Sequence, residues 1–269
     1  MIRAAVIGAT GRMGQALVHA GRETSAVRIV AAVASQNSNH IGQDAGQLAD
    51  QTPLGVPITN DLRTALAACD VVIDFSQPEA TTANLRACHV AKKPLLIGTT
   101  GFPPELDANF IEAARDIPVL VAANTSVGVS LLIELVRACA HALPPEFDIE
   151  IVEAHHRQKK DAPSGTALAL GRAAAKARGH ELAEVAVTNR AAGALRAAGD
   201  IGFSVIRGGD IIGEHTVLFT GPGEQLTVSH RATDRAIFAR GALRAAAWLA
   251  VQPAGLYDMQ HVAGYKTET

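Results

Sequence analysis

Hydrophobic positions in the first half of the chain fall into five short runs, and each run ends in small or polar residues. In chain order the runs are AAVIG, RIVAAVA, DVVIDFS, PLLIGTT and PVLVAAN. Near-continuous apolar runs of this length are typical of strands that are buried on both faces of a parallel sheet. Stretches with helical character occur at residues 13–23, 61–68, 79–91 and 104–115. The alternation predicts an α/β domain in which helices cover both faces of a parallel sheet.

The pattern of hydrophobic residues changes after Asn124. An apolar stretch at residues 127–143 predicts a long helix, and the alternation in FDIEIVEAHH predicts a strand with one polar face. An alanine-rich helix follows and extends to Arg178. From Ile201 onward, three β-rich runs are separated by GGD and GPGE, which are turn signals for antiparallel strands. Residues 234–251 return to a helical pattern, and NRAAGALRAAG is compatible with a helix or with a flexible loop.

This change of pattern predicts a chain of three segments. Residues 1–126 form the parallel-sheet domain, and residues 127–235 form a smaller, mixed α+β domain. Residues 236–269 supply a last helix and a tail that return to the first domain. In parallel sheets of this kind, ligands bind beyond the carboxyl ends of the strands. The residues that follow each apolar run are therefore candidate ligand contacts.

Composition and charge narrow the classes of protein to which the chain can belong. Of its 269 residues, 48% are hydrophobic and 19% are charged, which are the proportions of a folded globular protein. The formal net charge of −2 predicts no nucleic-acid partner. No apolar run approaches the roughly 20 residues of a membrane span, so no membrane partner is expected. The widely spaced Cys69, Cys88 and Cys139 suggest neither disulfides nor a zinc site, and they favour a reducing cytoplasm.

The loop after the first apolar run has the spacing of a dinucleotide-binding turn. In VIGATGRMGQALV, Gly8, Gly11 and Gly14 stand between the first strand and the first helix. Glycine permits the tight turn and lets a pyrophosphate approach the backbone, while N–H groups at the helix start face the anion. Arg12 lies inside the loop, where its guanidinium can cover phosphate groups or remain in solvent. Together with the flanking strand and helix, the loop predicts a Rossmann-like nucleotide site.

Three further segments follow predicted strands and are candidates for cofactor contacts. At the end of the second strand, Rossmann-like domains usually carry an acid that binds the adenine ribose, but VASQN has Ala34 and Ser35 there. GTTG and AANTS follow the fourth and fifth predicted strands and supply small residues and hydroxyls where a nicotinamide ring is expected. Either of these two segments can also be an ordinary turn.

The segment EIVEAHHRQKKDAPSGTAL combines two adjacent histidines with several cations and a helix start. Neighbouring residues of a strand point to opposite sides, so His155 and His156 are not expected to bind one metal ion together. No second cluster with zinc spacing accompanies them, and the two rings could simply cap the strand end. Ser164 stands at a favourable N-cap position, and Gly165 and Thr166 open the helix that follows.

The cations beside this helix start predict an anion site. Arg157, Lys159 and Lys160 follow the two histidines. Helix N–H groups, a threonine hydroxyl and flanking cations together form a receptor for a carboxylate or a phosphate. An imidazole next to an ammonium group can also move protons, which is required when hydride transfer reduces a C=C or C=N bond. The segment therefore predicts that a small anionic substrate is bound and protonated here.

Six sequence motifs together resemble the 4-hydroxy-tetrahydrodipicolinate reductase (dihydrodipicolinate reductase) family. They are GATGRMG, GTTG, AANTSVGV, EAHHRQKKDAPSGTAL, GGDIIGEHTVLF and GLYDM. The resemblance implies a bacterial cytoplasmic enzyme, usually a homotetramer, that reduces a cyclic dicarboxylate imine with NADH or NADPH in the diaminopimelate route to lysine. It also implies that residues 1–126 bind the dinucleotide and that residues 127–235 bind the substrate and form the oligomer.

The family's catalytic and substrate-binding residues match positions of this sequence one by one. The resemblance implies that His155 is the proton donor or acceptor, that Lys159 donates a proton, and that His156 binds the substrate. Gly165 and Thr166 match the residues that contact the substrate carboxylates. No metal is expected.

The family's cofactor contacts also fall on particular positions. They are Gly8, Ala9, Thr10, Gly11, Arg12, Met13, Ala34, Ser35, Gly98, Thr99, Thr100, Ala122, Ala123, Asn124 and Thr125. Ala34 and Ser35 stand where the family often has an acidic residue followed by an arginine. Because both determinants are replaced, the resemblance leaves the choice between NADH and NADPH open.

Two other functions remain compatible with the sequence. One is that of another two-domain dehydrogenase of amino-acid metabolism, of the aspartate or homoserine type. The other is that of a non-catalytic nucleotide-sensing protein that keeps the glycine loop without turnover. A sensor has no need of a proton donor such as Lys159, which argues against the second alternative.

Overall fold

The computed structural model describes residues 1–103 and 105–265, and the chain divides into two compact units. One unit comprises Met1–Ser126 together with Ala236–Thr269, and the other comprises Val127–Arg235. Each unit has its own sheet, with seven strands in the first and five in the second. Pro104, at which one predicted helix begins, and residues 266–269 of the predicted tail lie outside the described residues.

The first unit is built on an all-parallel sheet. Its strands are β1 (Ile2–Ile7), β2 (Val27–Val33), β3 (Ile58–Thr59), β4 (Val71–Asp74), β5 (Leu95–Ile97), β6 (Pro118–Val121) and β12 (Gly255–Tyr257). They lie in the order β12-β6-β5-β4-β1-β2-β3. The five apolar runs of the sequence form β1, β2, β4, β5 and β6, and side chains such as Ala5, Val72 and Leu96 are fully buried. The predicted parallel α/β domain is therefore confirmed.

The first unit has helices between its strands and after its last strand. They are α1 (Arg12–Ala20), α2 (Ala45–Asp50), α3 (Leu62–Ala68), α4 (Pro78–Val90), α5 (Leu106–Ala113), α9 (Ala236–Leu249) and α10 (Met259–Val262). The hydrophobic pattern did not predict α2 or β3, which are short and depend on Asp44. Its carboxylate accepts hydrogen bonds from the backbone N–H groups of Gly46, Gln47, Leu54, Gly55 and Val56. These bonds, led by those from Leu54 and Gln47, lower the pKa of Asp44 to about 2.

The second unit has the mixed α+β architecture that the sequence predicted. Its strands are β7 (Asp148–His155), β8 (Ala186–Val187), β9 (Ile201–Arg207), β10 (Gly213–Gly221) and β11 (Glu224–Ala232), and its helices are α6 (Val127–Ala142), α7 (Gly165–Ala177) and α8 (Leu182–Val185). The core joins Val136 of α6 and Leu170 of α7 to Ile151 and Phe219 of the sheet. Among the helices that the structure describes, none is both long enough and apolar enough to cross a membrane.

Only one of the two predicted turns between antiparallel strands forms a hairpin. GPGE does join two antiparallel neighbours, since Gly221 of β10 pairs with Glu224 of β11. GGD, however, does not form a hairpin between β9 and β10, because β7 lies between them. β9 runs parallel to β7 and β10 runs antiparallel to it. The glycines of GGD bend the chain across the end of β7, where Gly208 N–H donates to the carbonyl of His155 at 3.0 Å.

NRAAGALRAAG forms a loop rather than a helix. Arg196 holds this loop against β7: its Nη1 lies 2.6 Å from Oδ1 of Asp148, and its Nε lies 3.1 Å from Oε1 of Glu150. Arg190 contacts the same Glu150 oxygen at 3.0 Å. Ion pairs with β7 therefore hold this segment as a loop. Its alanine-rich composition alone could not predict those ion pairs.

Candidate active site

The glycine loop connects β1 to α1 and admits no larger residue at two positions. Gly8 has a φ of +80°, and a Cβ there would overlap the carbonyl oxygen of Phe75. At Gly14 a Cβ would overlap the carbonyl oxygen of Gly8 and lie 2.6 Å from Cα of Ala9. Gly8 and Ala9 both donate N–H groups to the carbonyl of Val33, at 2.9 and 3.0 Å. The loop is therefore a tight backbone cradle that excludes side chains.

The start of α1 is suited to bind an anion. Gly11 is its N-cap residue, and within the described part of the chain no side chain caps the first turn. Arg12 and Met13 occupy that turn, and Arg12 is exposed beside it. The carbonyl of Thr10 accepts a hydrogen bond from the side chain of Gln15 at 2.9 Å, which holds the loop in place. A pyrophosphate fits this helix start because the helix dipole and the backbone N–H groups favour negative charge.

A substitution at Gly14 tests whether the glycine loop binds the nucleotide cofactor. Gly14→Ala is expected to raise the cofactor Kd about 10- to 100-fold, or roughly 1.4–2.8 kcal/mol in binding free energy, because the added Cβ would displace the loop backbone that the pyrophosphate approaches. Titration of nicotinamide fluorescence measures the Kd. Gly208→Ala is the matched control, since a Cβ there meets open space among the described residues. A cofactor Kd of Gly14→Ala within twofold of the wild-type value would contradict nucleotide binding at the glycine loop.

Ala34 and Ser35 follow β2, next to the glycine loop. Ala34 is 8% exposed, and its N–H donates to the carbonyl of Thr59 at 2.9 Å, whereas Ser35 is exposed. Neither side chain is charged. This position therefore offers no carboxylate to ribose hydroxyls and no cation to a 2′-phosphate.

Two further loops follow β5 and β6 at the same edge of the sheet. They contain the predicted contacts Gly98, Thr99, Thr100, Ala122, Ala123, Asn124 and Thr125. A Cβ at Gly98 would overlap the ring of Phe75, so this position is also closely packed. The hydroxyls of Thr99 and Thr125 donate to the carbonyls of Asp74 and Phe238, at 3.4 and 2.7 Å. Both hydroxyls are thus used within the first unit, and Thr100 and Ala123 are the exposed members of the set.

Sequence reasoning missed a buried carboxylate at the end of β4. Asp74 accepts hydrogen bonds from Ser76 N–H at 2.8 Å and from Asn84 Nδ2 at 2.9 Å. Burial raises the pKa of Asp74, and these hydrogen bonds oppose the shift. The main-chain oxygen of Asp74 also accepts Gly98 N–H at 2.9 Å. Asp74 therefore fixes the loops after β4 and β5, and its signal in the sequence is the acid that ends the run VVID.

In the second unit, the two adjacent histidines occupy different environments. His155 is the last residue of β7 and is buried, whereas His156 follows the strand and is half-buried. Nδ1 of His155 lies 2.6 Å from Oε2 of Glu153, two residues earlier on the same face of the strand. Within the described residues, no group of three or more His, Cys, Asp or Glu side chains is placed to hold a metal ion.

Lys159 is held in the loop that follows β7. Its N–H donates to the carbonyl of His156 at 3.1 Å, and its Nζ lies 2.9 Å from Oδ1 of Asp161. Burial raises the pKa of Asp161, but the hydrogen bond and charge of Lys159 outweigh that effect and lower it. Arg157 and Lys160 are exposed. Lys159 is therefore less exposed than Arg157 and Lys160.

The helix that the sequence predicted after Ser164 is present as α7. Ser164 is the N-cap residue, as predicted, and its Oγ accepts the N–H of Ala167 at 3.2 Å. Gly165 and Thr166 form the first turn, where Gly165 is exposed and Thr166 is half-buried. The structure thus brings His155, Lys159 and this helix start together within one strand, loop and helix of the second unit.

Three residues around His155 and the start of α7 were not predicted from the sequence, namely Glu153 of β7, Arg207 of β9 and His215 of β10. Arg207 of β9 forms an ion pair with Glu153 at 2.7 Å. His215 of β10 lies 2.9 Å from Ser164 Oγ through Nε2, and its ring meets the ring of His155 edge to face, with centroids 5.1 Å apart. Burial, followed by the charge of His155, lowers the pKa of His215 to about 4. No local sequence signal joins these residues, because they come from three different strands.

Family models match almost the whole chain. The model described as "Dihydrodipicolinate reductase, N-terminus" matches residues 2–125, and the model described as "Dihydrodipicolinate reductase, C-terminus" matches residues 128–263. A 4-hydroxy-tetrahydrodipicolinate reductase of Anaeromyxobacter dehalogenans (strain 2CP-1 / ATCC BAA-258) is 48% identical over 267 residues, which are 99% of each chain. One from Nitrosospira multiformis is 46% identical over 263 residues, which are 97% of each chain.

Solved structures show the same fold. Dihydrodipicolinate reductase from Paenisporosarcina sp. TG-14, solved with dipicolinate bound, superposes with a TM-score of 0.76 at 24% identity and covers 96% of this chain and 97% of its own. An amine dehydrogenase from Mycobacterium smegmatis reaches a TM-score of 0.61 at 15% identity, with 96% and 95% covered. With both family models matched in order and close to half of all residues shared with full-length relatives, the chain belongs to the dihydrodipicolinate reductase family.

Proposed function

We propose that this protein is an NADH- or NADPH-dependent 4-hydroxy-tetrahydrodipicolinate reductase. It converts 4-hydroxy-tetrahydrodipicolinate, by way of dihydrodipicolinate, to tetrahydrodipicolinate in the diaminopimelate route to lysine. The observation that carries the proposal is the segment from His155 to Thr166, which collects an imidazole, an ammonium group and a helix N-terminus. Family membership along nearly the whole chain supports the same reaction.

The glycine loop is the proposed binding site for the cofactor. Its cradle at Gly8 and Gly14 and the start of α1 fit a pyrophosphate, with Arg12 beside it. When bound, NADH or NADPH supplies the hydride that reduces the substrate ring. The other proposed contacts are Ala9, Thr10, Gly11, Met13, Ala34, Ser35, Gly98, Thr99, Thr100, Ala122, Ala123, Asn124 and Thr125.

The second unit is proposed to bind the dicarboxylate and to supply the proton. His156, Gly165 and Thr166 hold the carboxylates. The substrate ring is thereby positioned for reaction, and the reaction no longer depends on a chance encounter of two free molecules. Loss of water from the hydroxylated substrate gives the unsaturated ring, and addition of a hydride leaves negative charge on it. Lys159, oriented together with His155, donates the proton that neutralises this charge.

The replacement of both usual ribose determinants leads to a prediction about the cofactor. NADH and NADPH are expected to give kcat/KM values within about tenfold of each other, or ~1.4 kcal/mol, with a mild preference for NADPH. Ala34 cannot repel a 2′-phosphate. Ser35 offers it a neutral hydroxyl in place of a cation, and Arg12 with the polar run Ser35, Gln36 and Asn37 tolerates it. Steady-state kinetics with each cofactor measures the ratio.

Ala34→Glu is expected to turn this preference toward NADH, because a carboxylate binds ribose hydroxyls and repels the phosphate. Ala34→Gln is the matched control, since it adds the same bulk at this nearly buried position without the charge. A wild-type preference above roughly a hundredfold in either direction would require a determinant other than Ala34 and Ser35.

An absorbance assay at the nicotinamide band tests the proposed reaction. The cyclic substrate is made in situ from pyruvate and aspartate semialdehyde, and oxidation of NADH or NADPH is followed. Turnover of this substrate is expected, with no oxidation of NADH or NADPH by aspartate semialdehyde alone and no reduction of NAD⁺ or NADP⁺ by homoserine. Turnover of those substrates only would indicate another amino-acid dehydrogenase, and nucleotide binding without any turnover would indicate a sensor.

We further propose that the protein is a homotetramer in the cytoplasm, as in the family that it resembles. Support comes from the face of the second unit's sheet that lies opposite Glu153 and His155, where Val152 and Leu218 are half-buried and Ile206 is 50% exposed. Apolar side chains on such a surface are suited to contact another chain. The three cysteines are free thiols, in keeping with a reducing compartment. Sedimentation velocity compares the mass in solution with the 27.9 kDa of one chain.

A further inference from the structure

Glu153 is a buried carboxylate on which four hydrogen bonds converge. Its side chain has no exposed surface. Arg207 donates to both oxygens, from Nη2 to Oε1 at 2.7 Å and from Nη1 to Oε2 at 2.8 Å. Ser164 N–H donates to Oε1 at 2.9 Å, and Nδ1 of His155 lies 2.6 Å from Oε2. Each oxygen therefore binds one guanidinium nitrogen and one group of the proposed active site.

The charge of this carboxylate determines where the His155 ring carries its hydrogen. Burial raises the pKa of Glu153, but hydrogen bonds from Arg207, His155 and Ser164 outweigh that effect and leave it below its usual value. The carboxylate is therefore ionised at neutral pH and can only accept hydrogen bonds. Nδ1 of His155 must then carry a hydrogen, and in the neutral ring Nε2 carries none.

Charged and titratable groups face His155 from each neighbouring element. Glu153 lies on its own strand, Arg207 on β9, His215 on β10 and Lys159 in the following loop. Burial lowers the pKa of His155, the carboxylate of Glu153 raises it, and the charges of Lys159 and Arg207 lower it again, with a net decrease. His155 is therefore neutral at neutral pH, with Nε2 as its acceptor atom.

We infer that Glu153 is a positioning residue of the reductase. Held by Arg207, its carboxylate fixes the tautomer of His155 that is protonated at Nδ1, so that Nε2 is the atom that exchanges protons during turnover. The same carboxylate binds Ser164 N–H and thereby fixes the start of α7 relative to the His155 ring. The inference rests on the proposed function, but the tautomer itself can be tested without substrate.

Nuclear magnetic resonance of the full-length protein tests the tautomer. Long-range 1H–15N correlation spectra of protein labelled with 15N-histidine distinguish the two tautomers of each ring, and His155→Gln identifies the His155 signals by their loss. We expect protonation at Nδ1 in the wild type and a shift toward protonation at Nε2 in Glu153→Gln, because a neutral amide accepts this hydrogen bond more weakly. A wild-type His155 protonated only at Nε2 would overturn the inference.

Kinetics tests the consequence for catalysis. Glu153→Gln is expected to lower kcat about 10- to 100-fold, the usual range for loss of an orienting partner, with the cofactor Kd unchanged. The titration of His155 in the kcat–pH profile should move to lower pH, because the group that raises its pKa has been removed. Glu150→Gln is the matched control, since Glu150 lies on the same strand and accepts Arg190 and Arg196 on the opposite face. Equal losses in both variants, or a changed tautomer with an unchanged pH profile, would overturn the inference.

A double variant separates positioning from folding. Glu153→Gln leaves the guanidinium of Arg207 without its carboxylate, which can destabilise the protein. Glu153→Gln combined with Arg207→Gln removes both charges. A double variant that melts near the wild-type temperature and still has the low kcat and the shifted tautomer supports the inference, whereas recovery of wild-type kcat contradicts it. Lack of reductase activity in the wild type would contradict the proposed function instead, and the tautomer spectra distinguish the two failures.

Discussion

Lys159→Ala is expected to lower kcat by roughly 10²–10⁴-fold, the usual scale for loss of a general acid. The Lys159 side chain is 23% exposed, and its Nζ lies 2.9 Å from Oδ1 of Asp161. In the proposed mechanism, Lys159 is the donor of the proton that neutralises the negative charge on the reduced ring. The glycine loop belongs to the other unit, so the cofactor Kd, measured by nicotinamide fluorescence, should remain near the wild-type value.

Arg157→Ala and Lys160→Ala are the matched controls for Lys159. Both cations belong to the same loop but are exposed, and we expect kcat within a few-fold of wild type for each. If Lys159→Ala also retains kcat within a few-fold, Lys159 has no part in the mechanism. If all three variants lose kcat equally, the loop acts through its total charge rather than through one proton donor.

His155→Ala and His156→Ala are expected to affect different kinetic parameters. His155 is buried and bonded to Glu153, and its loss should lower kcat by roughly 10²–10⁴-fold. His156 lies beyond the strand, half-buried, and its loss should mainly raise the KM for the substrate, about tenfold for one charged hydrogen bond. Steady-state kinetics with saturating cofactor separates the two parameters.

Equal changes of kcat and KM in both histidine variants would reject this division of roles. Thermal melting of each variant shows whether a loss reflects unfolding, because His155 is part of a buried cluster. Activity that is lost in a histidine variant and restored by added zinc would favour the metal interpretation of the pair.

The sequence by itself determined the layout of the first unit and most of the candidate chemistry. Buried parallel strands require near-continuous apolar runs, and the five runs correspond to β1, β2, β4, β5 and β6. The glycine loop could be predicted because its tight turn requires glycine at Gly8 and Gly14, where a Cβ would overlap backbone atoms. Ser164 could be predicted as an N-cap because a serine at the start of a helix accepts a hydrogen bond from a backbone N–H of the helix's first turn. Each of these signals is local.

Only the tertiary structure decided the features that depend on residues far apart in the chain. GGD looks like a hairpin turn, yet β7 enters between β9 and β10, because strand pairing is chosen by burial of the whole sheet and not by the turn. The short elements α2 and β3 exist because one carboxylate, Asp44, binds backbone groups on both sides of its loop.

The environment of the proposed acid–base residue was also decided by tertiary structure. Glu153, Arg207 and His215 come from three strands that the sheet makes neighbours. A buried carboxylate is stable only where donors converge on it, and here the donors are a guanidinium, an imidazole and a helix-start N–H. The sequence therefore identified His155 and Lys159 as candidate acid–base residues. The fold determined which nitrogen of His155 is available to exchange a proton.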